Sequence, residues 1–71
     1  MHDGAVQVEG VVVEVLANRT LRVELPNGHR LLAFMPKRWR ANPPVYAPGQ
    51  AVRVEVSPCD MSKGRLAETK N

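Results

Sequence analysis

Thr20-Leu21-Arg22-Val23-Glu24-Leu25-Pro26-Asn27-Gly28-His29-Arg30-Leu31-Leu32-Ala33-Phe34-Met35 is the stretch that decides the fold. Its first six residues alternate, with Leu21, Val23 and Leu25 on one face and Arg22 and Glu24 on the other, which is the period of a half-buried strand. Pro26-Asn27-Gly28 then turns the chain. A two-residue loop at Asn27-Gly28 would pair Val23 with Leu32, whereas a three-residue loop with Gly28 left-handed pairs Val23 with Leu31. The three-residue loop is the expected one. It turns Leu31, Ala33 and Met35 inward and leaves Arg30, Leu32 and Phe34 on the face shared with Arg22 and Glu24.

Upstream of this hairpin, Val6 and Val8 alternate with Gln7 and Glu9, but beyond Gly10 the apolar set moves to Val11, Val13 and Val15. A one-residue shift turns a strand's apolar row to its other face, so a bulge or sharp coil is expected at Gly10, letting one long strand serve both halves of a small barrel. Downstream, Pro36 to Pro48 interrupts the strands. Pro36 suits the first position of a helical turn over Lys37-Arg38-Trp39-Arg40-Ala41, and Pro43-Pro44 must stop it. Pro48-Gly49 leads into another strand, Ala51–Val56, with Val52, Val54 and Val56 inward and Arg53 and Glu55 outward. Ser57–Gly64 reads as a polar loop delivering Lys63 and Arg65 to a strand edge, and Arg65-Leu66-Ala67-Glu68-Thr69 as a short fifth strand. Five short strands, an early glycine kink and a helical turn between strands 3 and 4 describe an all-β, five-stranded Greek-key barrel.

Composition limits what such a barrel can do. With 71 residues a chain buries only about 60% of its unfolded surface, so one small domain is expected over residues 1–71, with short flexible termini and no large catalytic pocket. Cys59 is the lone cysteine and His2 and His29 are the only histidines, which leaves no internal disulfide and no zinc-ligand spacing. No metal and no cofactor are expected. Met1-His2-Asp3-Gly4 lacks a basic start and an apolar run, and no stretch approaches the roughly 18 apolar residues of a membrane span, so a cytoplasmic chain without membrane contact is the expectation. The net charge of +3 is unevenly distributed. Residues 1–28 hold two bases against four acids, giving −2, and residues 29–71 hold eight bases against three acids, giving +5. A basic segment of this kind favours a polyanionic partner.

Particular residues sharpen that preference. Lys37, Arg38 and Arg40 combine phosphate-directed charge with a stacking surface on Trp39; alternatively, Trp39 caps the barrel and the charges solubilise a loop. Phe34, outward and flanked by arginines, could stack a nucleobase, or it could be core. An enzyme is the weakest class: Cys59 and Asp60 are adjacent and point apart, and His29 is remote, so no nucleophile, base and orienting group come together and no catalytic residue is assigned. An adaptor that binds protein edges would have only Leu32 and Phe34 as exposed apolar anchors.

From about Val8 to Arg65 the chain resembles the bacterial translation initiation factor 1 family. The resemblance rests on Glu9-Gly10, on Arg22-Val23-Glu24-Leu25 with Asn27-Gly28-His29, and on Asp60 followed by Ser62-Lys63-Gly64-Arg65. It implies a single oligonucleotide-binding (OB) barrel of S1-like type, without catalytic activity, that occupies the decoding (A) site of the small (30S) ribosomal subunit during initiation. The partners implied are that subunit, its 16S rRNA and other initiation factors, with a monomer off the ribosome. RNA contact is then expected at Arg22, Lys37, Arg38, Trp39, Arg40, Ser62, Lys63 and Arg65, with base stacking at Phe34. The sequence departs from the family at several places. Phe34 stands where histidine is common, Lys37-Arg38-Trp39-Arg40 replaces a Gly-Lys-Met-Arg type loop, and Cys59 replaces a tyrosine. Pro43-Pro44-Val45-Tyr46 replaces a stretch with a further arginine, and the tail after Arg65 lacks the usual aromatic and arginine. These differences mark a divergent member. The alternative is a general single-stranded RNA-binding barrel, an RNA chaperone of cold-shock type, although such barrels usually show more aromatics on adjacent strands than Phe34, Trp39 and Tyr46 provide.

Overall fold

Five strands form where one face of the chain can be buried: β1 (Val6–Leu16), β2 (Thr20–Glu24), β3 (Arg30–Phe34), β4 (Ala51–Ser57) and β5 (Asp60–Leu66). In this computed structural model, which describes residues 6–17, 19–39 and 41–67 and sets aside the Arg38 side chain, they close into a barrel in the order β1-β2-β3-β5-β4. All neighbouring strands are antiparallel except β3 and β5, whose seam is parallel over Leu32–Lys63, Ala33–Gly64 and Phe34–Arg65. This is the all-β, five-stranded OB barrel expected from the sequence. The flexible termini expected on either side lie outside the described residues, as does Arg40.

The hairpin between β2 and β3 has the three-residue loop. Val23 lies opposite Leu31 and Arg22 opposite Leu32. The Leu25 N–H donates to His29 O at 2.8 Å and the Gly28 N–H to Leu25 O at 2.9 Å. Gly28 has φ +89, a left-handed conformation that costs other residues about 1 kcal/mol or more. Asn27 Oδ1 accepts the His29 N–H at 3.0 Å, so the side chain closes the turn that its residue type favours. The inward rows expected of β2, β3 and β4 are all buried, and Met35 packs partly buried against them.

Three expectations need correcting. β1 does not change phase at Gly10. Val8, Gly10 and Val12 share the inward parity, and the irregularity falls at Val13, between Val12 opposite Val23 and Glu14 opposite Arg22. Gly10 is an inward position with no room for a side chain: a Cβ there would meet Val23 Cγ1 at 2.6 Å and Glu24 O at 2.8 Å. Val11 and Val15, expected inside, are exposed. β1 nonetheless serves both halves of the barrel, pairing β4 from Val6 to Val11 and β2 from Val11 to Leu16.

β5 starts at Asp60, five residues before the expected start, after a Pro58-Cys59 turn that sets Ser57 opposite Asp60. Ser57–Gly64 is therefore not one polar loop. The strand escapes an apolar pattern because Met61–Lys63 bulge out of the β4 register and its inward positions are Gly64 and Leu66. A Cβ on Gly64 would lie 2.5 Å from Val54 Cγ1 and 2.9 Å from Glu55 O. Glu68-Thr69 lie outside the described residues.

The helical turn expected over Lys37–Ala41 is not present as such. Lys37–Trp39 makes a three-residue 3-10 stretch, its Trp39 N–H donating to Pro36 O at 3.0 Å and the Asn42 N–H to Trp39 O at 3.2 Å. Bonds of i to i+3 type tighten the backbone too far for an α-turn, and Pro43 supplies no N–H to extend it.

Candidate nucleic-acid interface

Positions of outward parity line up into two rows across the barrel wall, with Thr20 alone among them buried. One row runs Glu14, Arg22, Leu32, Lys63, and the other Thr20, Phe34, Arg65, Glu55, Gln7. Neighbours in a row stand about 5 Å apart, so Arg22 and Lys63 flank Leu32 across two strand spacings of about 10 Å in all. Phe34 sits on this wall, 38% exposed, in register with Arg65. Phe34 is thus a partly exposed wall residue and not a member of the buried core.

The charges are positioned in different ways. Arg22 Nη1 meets Glu14 Oε1 at 2.6 Å, and Arg65 Nη2 meets Glu55 Oε1 at 3.4 Å. Both pairs are solvent-facing and worth about 0–1 kcal/mol, little enough for a phosphate to displace the carboxylate. Lys37 and Lys63 are exposed and form no ion pair with described residues. Glu55 also accepts from Gln7 Nε2 at 3.2 Å, so one carboxylate holds two neighbours at the margin of the basic wall. Sequence reasoning passed over Glu55 although its alternation with Val54 and Val56 placed it outward.

Ser62 has a structural task. Its hydroxyl donates to Asp60 Oδ1 at 2.6 Å, and its N–H donates to the same oxygen at 3.1 Å. These two bonds, with the Lys63 ammonium nearby, hold the Asp60 carboxyl below the usual carboxylate range. They also shape the bulge that presents Lys63. From the other side, His29 Nε2 approaches Met61 O at 2.9 Å; a carbonyl only accepts, so this ring nitrogen is the donor. The hairpin loop and the start of β5 are thereby joined, a role for His29 that no local sequence signal shows.

The 3-10 segment meets this wall at one point. A cleft of ≈510 Å³ is lined by Phe34, Met35, Pro36, Lys37, Gly64 and Arg65, bringing three of the sequence-nominated residues, Phe34, Lys37 and Arg65, to one concavity with an apolar floor. Trp39 is half-buried and packs against the core, the capping position anticipated as the alternative to stacking. Tyr46 packs there too, and burial pushes its hydroxyl pKa up. The Arg38 side chain and Arg40 lie outside the described residues. Among the described residues no group of His, Cys, Asp or Glu could hold a metal ion, and no helix is long and apolar enough to cross a membrane.

This barrel has counterparts among solved structures. The chain is similar to translation initiation factor 1. The match is to the solution structure of that factor from the Wolbachia endosymbiont strain TRS of Brugia malayi, at 28% identity and a TM-score of 0.73, over 97% of this chain and 82% of that one. The likeness to initiation factor 1 extends beyond the Val8–Arg65 stretch in which the sequence resemblance was visible. A second structure, YjeQ from Thermotoga maritima, matches at 21% identity and a TM-score of 0.66, over 93% of this chain but 23% of that one, and shows the shared barrel alone. No protein-family profile matches the sequence.

Proposed function

We propose that this chain is a divergent translation initiation factor resembling initiation factor 1, a non-catalytic single-domain binder that occupies the decoding (A) site of the small ribosomal subunit. The observation that carries the reading is the likeness to that factor over nearly the whole chain, on a barrel whose Arg22, Lys63 and Arg65 share one wall with Phe34. In this reading Lys37, Arg38, Arg40, Lys63 and Arg65 engage the phosphates of 16S rRNA, with Arg22 released from Glu14 to join them. Phe34 stacks a base in the cleft beside Lys37. Trp39 supports the loop from the core side, and Ser62 fixes the bulge from which Lys63 projects. The factor works in the cytoplasm, as a monomer off the ribosome, beside other initiation factors.

A second reading has one observation in its favour. An exposed aromatic beside cations is also how a sequence-tolerant single-stranded RNA binder holds bases, each stacked base contributing about 1–3 kcal/mol. The experiment that separates the two compares affinity for intact small subunits with affinity for an unstructured oligoribonucleotide at the same moderate salt, followed by Trp39 emission and by co-sedimentation. An initiation factor reads a folded RNA site by shape and prefers the subunit by several orders of magnitude. Equal affinities for the two ligands would replace it with the general RNA binder.

A further inference from the structure

β1 has two edges, and along its first half only one of them is paired with another strand among the described residues. Val6 to Val11 pairs with β4, whereas pairing with β2 begins at Val11 opposite Glu24 and runs toward Leu16. Extending that second register would bring Pro26 opposite Glu9, and proline has no N–H to give. The chain has in any case turned by then, since Leu25 is bonded to His29 across the hairpin. Val12 donates to Gln50 O and accepts from Gly49 on the β4 side. By the alternation of an antiparallel ladder, the backbone groups of Gln7 and Glu9 therefore face the other way, toward the edge that has no strand beside it among the described residues.

Beside this edge lies a groove of ≈600 Å³ whose floor includes Gly10, Val11, Leu25 and Pro26 and whose charged lining is Glu9 and Glu24. Val11 is 42% exposed there, an outward valine for which the barrel has no use. Among the described residues no Lys or Arg lines the groove; Arg53 and Arg30 stand outside the lining and pair with Glu9 and Glu24 at 3.1 and 3.2 Å. The charged groups that line the groove are thus carboxylates, where the wall presents Arg22, Lys63 and Arg65. Phosphate finds no cation in this lining and gains nothing from an apolar floor, so nucleic acid is the wrong occupant. An extended protein segment suits every feature: main-chain groups for the open edge, alternate apolar side chains for Val11, Leu25 and Pro26, and bases between them for Glu9 and Glu24.

We propose that the open edge of β1 and this groove take an extended, basic segment of a partner protein, with alternating apolar residues, as an added strand. The full-length chain, labelled with nitrogen-15, would be titrated with an alternating Lys-Val heptapeptide and, separately, with its Glu-Val counterpart. Expected are shifts of the Gln7, Glu9, Val11 and Leu25 amides with the Lys-Val peptide only, and slowed deuterium exchange at Gln7 and Glu9. Val11→Lys places a cation on the groove floor and should weaken peptide binding by about tenfold or more. If that variant does not fold, Glu9→Gln combined with Glu24→Gln changes only solvent-facing carboxylates, and the affinity should fall while the unfolding midpoint stays close to that of the parent chain. No shifts, shifts confined to Phe34, Lys63 and Arg65, equal binding of both peptides, or movement of the groove amides by a single-stranded oligoribonucleotide would each overturn the proposal.

Discussion

Gly10 and Gly64 set the shape of the barrel by what they lack. At each, a methyl group would come within 3 Å of both a valine methyl and a backbone carbonyl of the neighbouring strand, and a carbonyl held in a ladder cannot step aside as a side-chain tip can. Gly10→Val should therefore cost about 3 kcal/mol or prevent folding, the upper range of overpacking. Val11→Ala, at a half-exposed outward position, should cost less than about 1 kcal/mol. Urea unfolding of the pair decides it, and an unchanged midpoint for Gly10→Val would mean that β2 can withdraw from β1. The importance of Gly10 was legible in the sequence; its reason was not. Alternation marks where apolar side chains fall, and a glycine filling an inward position leaves the same gap in the pattern as a glycine at a bend. Asp60 gives a pH-dependent test at this scale. Its folded pKa is lowered, first by the Ser62 hydroxyl bond, so its contribution to stability is present above the unfolded carboxylate value and is lost as pH falls through the folded one. Ser62→Ala should raise the Asp60 pKa toward its ordinary value and so shrink that contribution, the rise being read by a carboxyl carbon NMR titration.

β5 and the 3-10 segment show how far an element can be read before its partners are known. β2, β3 and β4 were legible because each buries a full row of valine, leucine or alanine, and the Val23–Leu31 register followed from loop length. β5 was placed late because its inward row is one glycine and one leucine, and the Met61–Lys63 bulge removes the rest of its period. The functional residues were more visible than the strand that bears them: Lys63 and Arg65 stood out by charge, while only the parallel seam with β3 could reveal that they flank Leu32 and Phe34. The proposed interface is testable element by element. Lys63→Glu on β5 and Lys37→Glu in the 3-10 segment change exposed side chains with no packing role, so each should alter stability by no more than about 0.5 kcal/mol. Each should weaken small-subunit binding, because a carboxylate facing phosphate repels it. Co-sedimentation unchanged for both variants would remove this wall from the binding site. Phe34→Ala should lower affinity by the equivalent of about 1–3 kcal/mol if its ring stacks a base, and leave affinity intact if the ring merely shields Thr20.

At the scale of the whole molecule, charge predicts a slope. If about four of the cations Lys37, Arg38, Arg40, Lys63 and Arg65 reach phosphates, the log–log dependence of small-subunit affinity on salt should have a slope of about −3 to −4. A slope near zero, measured by co-sedimentation across a salt series, would exclude electrostatic RNA contact. Composition alone carries this expectation, since the surplus of bases lies after residue 28. It held no hint of a groove whose charged lining is Glu9 and Glu24, because the spacing of those residues in sequence says nothing about their meeting across β1 and β2. The seam between β3 and β5 has a thermodynamic corollary. It is parallel, it joins strands that no hairpin connects, and its three residue pairs make it the shortest pairing in the barrel, so opening along this line breaks the fewest backbone pairs. Any polyanion bridging Arg22 on β2 and Lys63 on β5 lies across that line like a suture. Occupancy would then lower the frequency of unzipping by the factor 1 + [ligand]/Kd, and the protein would be most durable while engaged and most vulnerable to proteases when idle.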